Sequence, residues 1–341
     1  MRVLTALHQE DLNEVPGASQ AAEAAGYDGL VTMENKHNPF LALGVAAVAT
    51  RRVELATTVA IAFPRSPMVT AQIAWDLQNA SRGRFVLGIG PQVRAHNEKR
   101  FSVPWTAPAP RMREYVEALR TIWRAWHTGS KLDYRGQHYT FTLMTPNFTP
   151  RATGQPMVPV TLAAVGPHML RLAGEIGDGV RLHPLCTQKY LDEVVLPLVG
   201  EGLAKSGRPR ERFEVTGGGF IATGPDEASV QKMVEWVRYR VAFYGSTPAY
   251  WPVFERHGHG ELGRKLNVMS KAAQWDRMAA EVSDDVVRLF AAIGTHADIA
   301  REIERRLGGR VDALALGGAP PDLVQDVRRI PSRFAGYRPD W

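Results

Sequence analysis

Cysteine is almost absent from this chain. Cys186 is the only one in 341 residues, so no intrachain disulfide can form and a reducing compartment suits the protein. No apolar run approaches membrane-spanning length. The opening segment from Met1 to His8 turns polar too soon for a secretion signal, so a cytoplasmic location is expected. A dense basic tract with interleaved aromatics is also missing. The 41 lysines and arginines face 35 acidic residues and are scattered as pairs such as Arg51-Arg52 and Arg328-Arg329, which speaks against nucleic-acid binding. The small positive excess suits either a small anionic ligand or a solvated surface. There is no phosphate-loop Gly-Lys-Ser/Thr and no Gly-x-Ser-x-Gly nucleophile elbow. Gly88-Ile89-Gly90-Pro91-Gln92-Val93 lacks the third glycine of a dinucleotide fingerprint. His257-Gly258-His259 has no third ligand at suitable spacing, so no metal site is expected.

What the chain does have is a repeated phrase: a helix-like stretch, a small residue, a tight turn, then a short apolar run. It reads Gly26-Tyr27-Asp28-Gly29-Leu30-Val31 near the start and Gly177-Asp178-Gly179-Val180-Arg181-Leu182 past the middle. Variants occur at Arg82-Gly83-Arg84-Phe85 and Gly309-Arg310-Val311-Asp312. Each is a helix stop followed by a buried strand, and such units in series imply parallel strands joined by helical crossovers.

Apolar runs predict eight strands, at 3–7, 29–33, 53–62, 85–89, 158–163, 179–183, 213–222 and 311–316. Helical patterns lie between them, at 15–25, 40–49, 67–80, 110–126, 167–176, 189–205, 226–244, 285–293 and 297–307. The fold class is therefore α/β, a TIM (β/α)8 barrel forming one domain over 1–341. Two segments break the rhythm. One, at 131–150, contains a hairpin; the other, at 245–280, is a long, aromatic, irregular connection of the kind that forms lids or pocket walls.

In such barrels the chemistry lies at the carboxyl ends of the strands. Several of those ends carry small residues that let a flat ligand or a phosphate approach the backbone: Gly90, Ala164, Gly166, Gly317 and Gly318. Val165-Gly166-Pro167 also opens a helix, whose free amides attract anions. Glu34 and His37 follow strand two and are the polar groups best placed for proton transfer, with helix capping or ligand support as the alternative role. His8, His96 and His183 carry the same two readings. Cys186 reads as a small core filler.

The order and spacing of these motifs resemble the luciferase-like monooxygenase superfamily over nearly the whole chain. Within it they resemble the oxidoreductases that use the deazaflavin coenzyme F420. The matching stretches run from Ala21 to Gly29, Val53 to Val59 with Arg65-Ser66-Pro67, Ser81 to Gly90, Leu162 to Pro167 and Ile176 to Gly179. The resemblance implies a non-prolyl cis peptide at the end of strand three, which by position is Thr58–Val59. It implies cofactor contacts from Thr58, Val59, Gly90, Pro91, Gln92, Ala164, Val165 and Gly166, and places Glu34 near an acidic or polar position of the family. Dimers are common among similar proteins. Ala56 and Thr58 stand where many relatives have glycine. Val93 stands about where a sugar-phosphate dehydrogenase relative has a glutamate, which counts against that activity.

Side chains do not carry hydride, so a redox barrel needs an organic cofactor. The expected function is hydride transfer between F420 and a small organic substrate, with Glu34 or His37 managing the proton. The alternatives are an FMN-dependent monooxygenase on the same fold and a barrel that binds a ligand without catalysis.

Overall fold

The computed structural model describes residues 1–337. Eight parallel strands close into a barrel: β1 (Arg2–Ala6), β2 (Gly29–Thr32), β3 (Glu54–Thr57), β4 (Phe85–Gly90), β5 (Val160–Ala164), β6 (Gly179–Leu182), β7 (Glu214–Thr216) and β8 (Ala313–Ala315). Their hydrogen-bonded order is β3-β2-β1-β8-β7-β6-β5-β4, and β4 pairs back onto β3, so the sheet has no edge. β2 and β4 are buried along their whole length, as strands covered on both faces must be.

The repeated phrase has a structural cause. Asp28, Asp178 and Asp312 each accept the backbone N–H of a residue on the neighbouring strand, from Val3, Val160 and Val215, and all three bonds are 2.8 Å. The glycine or tight turn beside each aspartate stops the helix, and the carboxylate then fixes the register of the adjacent strand. Arginines neutralise these carboxylates: Arg328 on Asp28 at 2.9 Å, Arg208 on Asp178 at 2.7 Å and Arg210 on Asp312 at 2.8 Å.

The barrel interior is layered. Leu4, Val31, Ala56, Val86 and Ala313 form an apolar plug at mid-height. Below it, at the amino-terminal end, Arg2, Glu54, Arg181 and Glu214 form a buried ion network. A cavity of about 390 Å³ lies at that end, lined by residues including Arg2, Glu54, Arg84 and Tyr337, on the far side of the plug from the strand carboxyl ends.

Three local expectations are corrected. The run predicted as strand seven, 213–222, is two strands. Gly217, Gly218 and Gly219 take φ of 96°, 110° and 147°, a conformation that only glycine adopts readily, and they turn the chain out of the barrel after Thr216. Phe220–Gly224 then pairs in parallel with Ala291–Thr295 in a separate two-stranded sheet. The helix predicted at 285–293 therefore ends at Phe290 (Asp284–Phe290), because the short run Ala291-Ala292-Ile293 extends as a strand. The connection expected to be irregular holds the helices Trp251–Glu255, Gly260–Lys271 and Trp275–Met278. The hairpin in the first inserted segment forms as expected, from Tyr134–Arg135 and Thr140–Phe141. Among the described residues, no helix is long and apolar enough to cross a membrane.

Candidate active site

The strand carboxyl ends form an open basin above the apolar plug. Side chains alternate along a strand, so two residues beyond Leu4, Ala56, Arg181 and Ala313 the inward positions are Ala6, Thr58, His183 and Ala315. Ala6 and Ala315 are exposed although their strands are central to the fold, and Thr58, Ala163 and His183 are only half-buried. The basin floor is therefore made of small side chains and open backbone.

Its β2–β3 side is stitched together by Glu34. β3 is interrupted by a cis peptide between Thr58 and Val59, and the chain rejoins the sheet as Ala60–Ile61 beside β4. Thr58 donates its N–H to the Thr32 carbonyl at 2.7 Å, and Glu34 N–H reaches the Val59 carbonyl at 3.3 Å. The Glu34 carboxylate accepts the Ile61 N–H at 2.7 Å and grips the Arg65 guanidinium through both oxygens, each at 2.7 Å. Glu34 is thus fully engaged in holding the β3 bulge. His37 is exposed, and among the described residues no hydrogen bond joins it to Glu34. His8 and His96 are likewise exposed.

On β4, Gly90 lets three strands meet closely: a Cβ there would lie 2.9 Å from Ala163 Cβ and 3.0 Å from Val59 Cγ2. Pro91 and Gln92 follow, Gln92 at a φ of 59°. Asn97, fully buried, pins this loop by donating Nδ2 to the carbonyls of Pro91 at 2.8 Å and Val93 at 3.2 Å. Sequence reading missed Asn97; a lone asparagine in a polar helix, Arg94–Lys99, gives no signal of its own.

On β5, Ala164 is buried at the strand end, while Val165 and Gly166 are half-buried. Gly166 starts the helix Pro167–Ile176 with no side-chain cap, leaving the first-turn amides to face whatever occupies the basin. Next along the rim, His183 packs against two aromatics, edge-on to Tyr244 of the helix Glu227–Gly245 with ring centroids 4.3 Å apart and tilted against Tyr250 of the inserted segment at 4.7 Å. Its Nδ1 accepts the Leu185 N–H at 3.0 Å. Burial, with a smaller contribution from Arg240, pushes its pKa down to about 4, so the ring is neutral at physiological pH. Cys186, close behind, is buried, and burial pushes its thiol up to about 12, which fits a core filler rather than a nucleophile. His257 hydrogen-bonds Thr187 through Nε2 at 2.8 Å, and among the described residues no group of three or more His, Cys, Asp or Glu side chains could hold a metal ion.

A closed parallel barrel with a basin at its strand carboxyl ends and an inserted aromatic wall defines the architecture of a TIM-barrel enzyme. The model of the luciferase-like monooxygenase family matches residues 2–312, and the chain belongs to that family of oxidoreductases. It is 46% identical over 295 residues to the uncharacterized protein Rv1360 of Mycobacterium tuberculosis, covering 86% of this chain and 87% of that one. It is 30% identical over 319 residues to 5,10-methylenetetrahydromethanopterin reductase of Archaeoglobus fulgidus, covering 91% of each. Among solved structures, the fold is similar to the coenzyme F420-dependent tetrahydromethanopterin reductase of Methanopyrus kandleri, with a TM-score of 0.77 at 21% identity over 97% of this chain and 98% of that one.

Proposed function

We propose that this protein is an F420-dependent oxidoreductase that transfers a hydride between the deazaflavin and a small organic substrate, in the cytoplasm. The observation that carries the reading is the basin itself. Its floor is small and open at Ala6, Thr58, Ala163 and Ala315, so a flat tricyclic ring can lie on the backbone, and its rim offers the uncapped amides of the helix Pro167–Ile176 to an anionic group. The 30%-identical reductase and the F420-dependent structural neighbour support the choice of cofactor.

When bound, F420 supplies the hydride chemistry. The protein's part is to bind, orient and exclude water. In this reading Thr58 and Val59 support the ring from β3, with Glu34 and Arg65 keeping that bulge in place. Gly90, Pro91 and Gln92 form one wall, held by Asn97. Ala164, Val165 and Gly166 receive the anionic tail. The segments 131–150 and 245–280 cover the mouth as lids of the single barrel domain. His37, free of Glu34 and exposed beside the mouth, is the residue left to exchange a proton with the substrate.

Fluorescence-monitored titration of the protein with F420 and with FMN tests this. Saturable binding of F420, and F420-linked reduction of substrates beginning with methylenetetrahydromethanopterin, is the expected result. Binding of FMN alone would replace this reading with the monooxygenase one, and binding of neither would point to a barrel without redox chemistry.

A further inference from the structure

His183 is a half-buried histidine at the basin rim to which no role has yet been assigned. β5 and β6 pair with Ala164 opposite Leu182, so His183 stands directly beside Val165 on the rim. Its ring is fixed from two sides by Tyr244 and Tyr250, and from a third by the Leu185 N–H on Nδ1. A neutral imidazole that accepts at Nδ1 carries its proton on Nε2. Among the described residues nothing accepts from Nε2, and the residue remains partly exposed at the strand carboxyl end. A donor immobilised on three sides and left unanswered at the fourth is preorganised for a ligand.

We propose that His183 is a cofactor-contacting residue that donates a hydrogen bond from Nε2 to an uncharged carbonyl or hydroxyl oxygen of F420, its ring held in place by Tyr244 and Tyr250. This rests on the F420 reading of the basin. A charged imidazolium would add a positive group next to Arg240, so the arrangement favours a neutral donor and an uncharged acceptor. It also joins the inserted segment to cofactor binding, because the residues that orient His183 come from beyond the barrel strands.

The test is a fluorescence titration of oxidised F420 against the wild-type chain, H183A and H183Q, with the thermal midpoint of each measured alongside. Losing one ligand hydrogen bond from a preorganised donor predicts a Kd about tenfold higher for H183A. H183Q restores an N–H at a similar reach and is expected within about threefold of wild type. Wild-type affinity in H183A overturns the proposal. So does equal weakening in H183A and H183Q, since that would make the ring a packing element. A wild-type chain that fails to bind F420 overturns the reading of the basin itself, which separates that failure from the failure of His183.

Discussion

Glu34 and Arg65 lie 31 positions apart and form a two-armed ion pair beneath the loop that follows β3, with a side-chain exposure of 7% and 17% respectively. The carboxylate also takes the Ile61 N–H, so one side chain fastens two points of the loop. Removing one member of a buried pair leaves the other charge without its partner. E34Q is expected to lower stability by about 2–4 kcal/mol and to weaken F420 binding through the loosened loop. Chemical denaturation checks this. A variant as stable as wild type that binds F420 normally but has lost turnover would instead make Glu34 the proton-transfer group.

Gly90 and Gly88 separate two kinds of tight contact on one strand. An added Cβ at Gly90 meets two side chains, Ala163 and Val59, and side chains can move. G90A should therefore fold, lose about 1–3 kcal/mol, and bind F420 more weakly as Val59 is displaced. Adding V59A to G90A should recover stability. At Gly88 the added Cβ would fall on the Thr57 backbone carbonyl, which is held within the sheet. G88A is expected to give no soluble folded protein. Comparing soluble yield and thermal midpoint across the three variants decides the matter, and a G88A chain as stable as G90A would contradict the packing argument.

The barrel was legible in the sequence because its strands are buried on both faces and so appear as short apolar runs between helical periods. The phrase around Asp28 and Asp178 marked real units, since each aspartate holds a neighbouring strand. The detour at Gly217, Gly218 and Gly219 was not legible: the residues on both sides are β-forming, and only the positive φ of all three glycines shows that the strand leaves the barrel. The small residues at the basin could be read from position alone. The pairing of Glu34 with Arg65 could not, because it depends on where two separate loops meet. The environment of His183 was hidden for the same reason, as Tyr244 reaches it from the helix Glu227–Gly245 and Tyr250 from the insertion that follows.

His183 also gives the protein a specific acid sensitivity. Its pKa, about 4 when folded, lies below the ordinary histidine value of 6.5, because burial and the nearby Arg240 disfavour the charged ring; Tyr244 and Tyr250 pack against it without charge. As pH falls through the window from 6.5 to about 4, the unfolded chain takes up a proton that the folded chain refuses, so stability drops. The full contribution of this one group is at most about 3 kcal/mol. Denaturation midpoints measured across that window should fall less steeply in H183N than in wild type. His257, also held below its ordinary value by burial, remains in both chains and accounts for part of the slope that persists. Parallel slopes in the two proteins would show that His183 titrates normally.

At the opposite end of the barrel, Glu214 is the centre of a buried network. It accepts from Arg2 at 2.6 Å, Tyr337 Oη at 2.7 Å and Thr216 Oγ1 at 3.0 Å, and faces Arg181 at 3.2 Å. Burial acts to raise its pKa, but Arg181 and Arg2 outweigh it and hold the carboxyl below the ordinary range; its neighbour Glu54, with burial dominant, is pushed upward. E214Q keeps the shape and removes the charge that two arginines share, so a loss of about 3–5 kcal/mol is expected. Y337F removes a single hydrogen bond and should cost about 1 kcal/mol. The double variant E214L/R181M, which takes away both charges, should be more stable than E214Q alone, because an unpaired buried guanidinium is worse than an apolar pair of similar volume. If E214L/R181M proves less stable than E214Q, the network contributes more than charge compensation, through the Thr161 and Thr216 hydroxyls that Arg181 also engages at 3.0 and 2.9 Å. None of these substitutions touches the basin, so F420 affinity in the folded fraction should stay at the wild-type value.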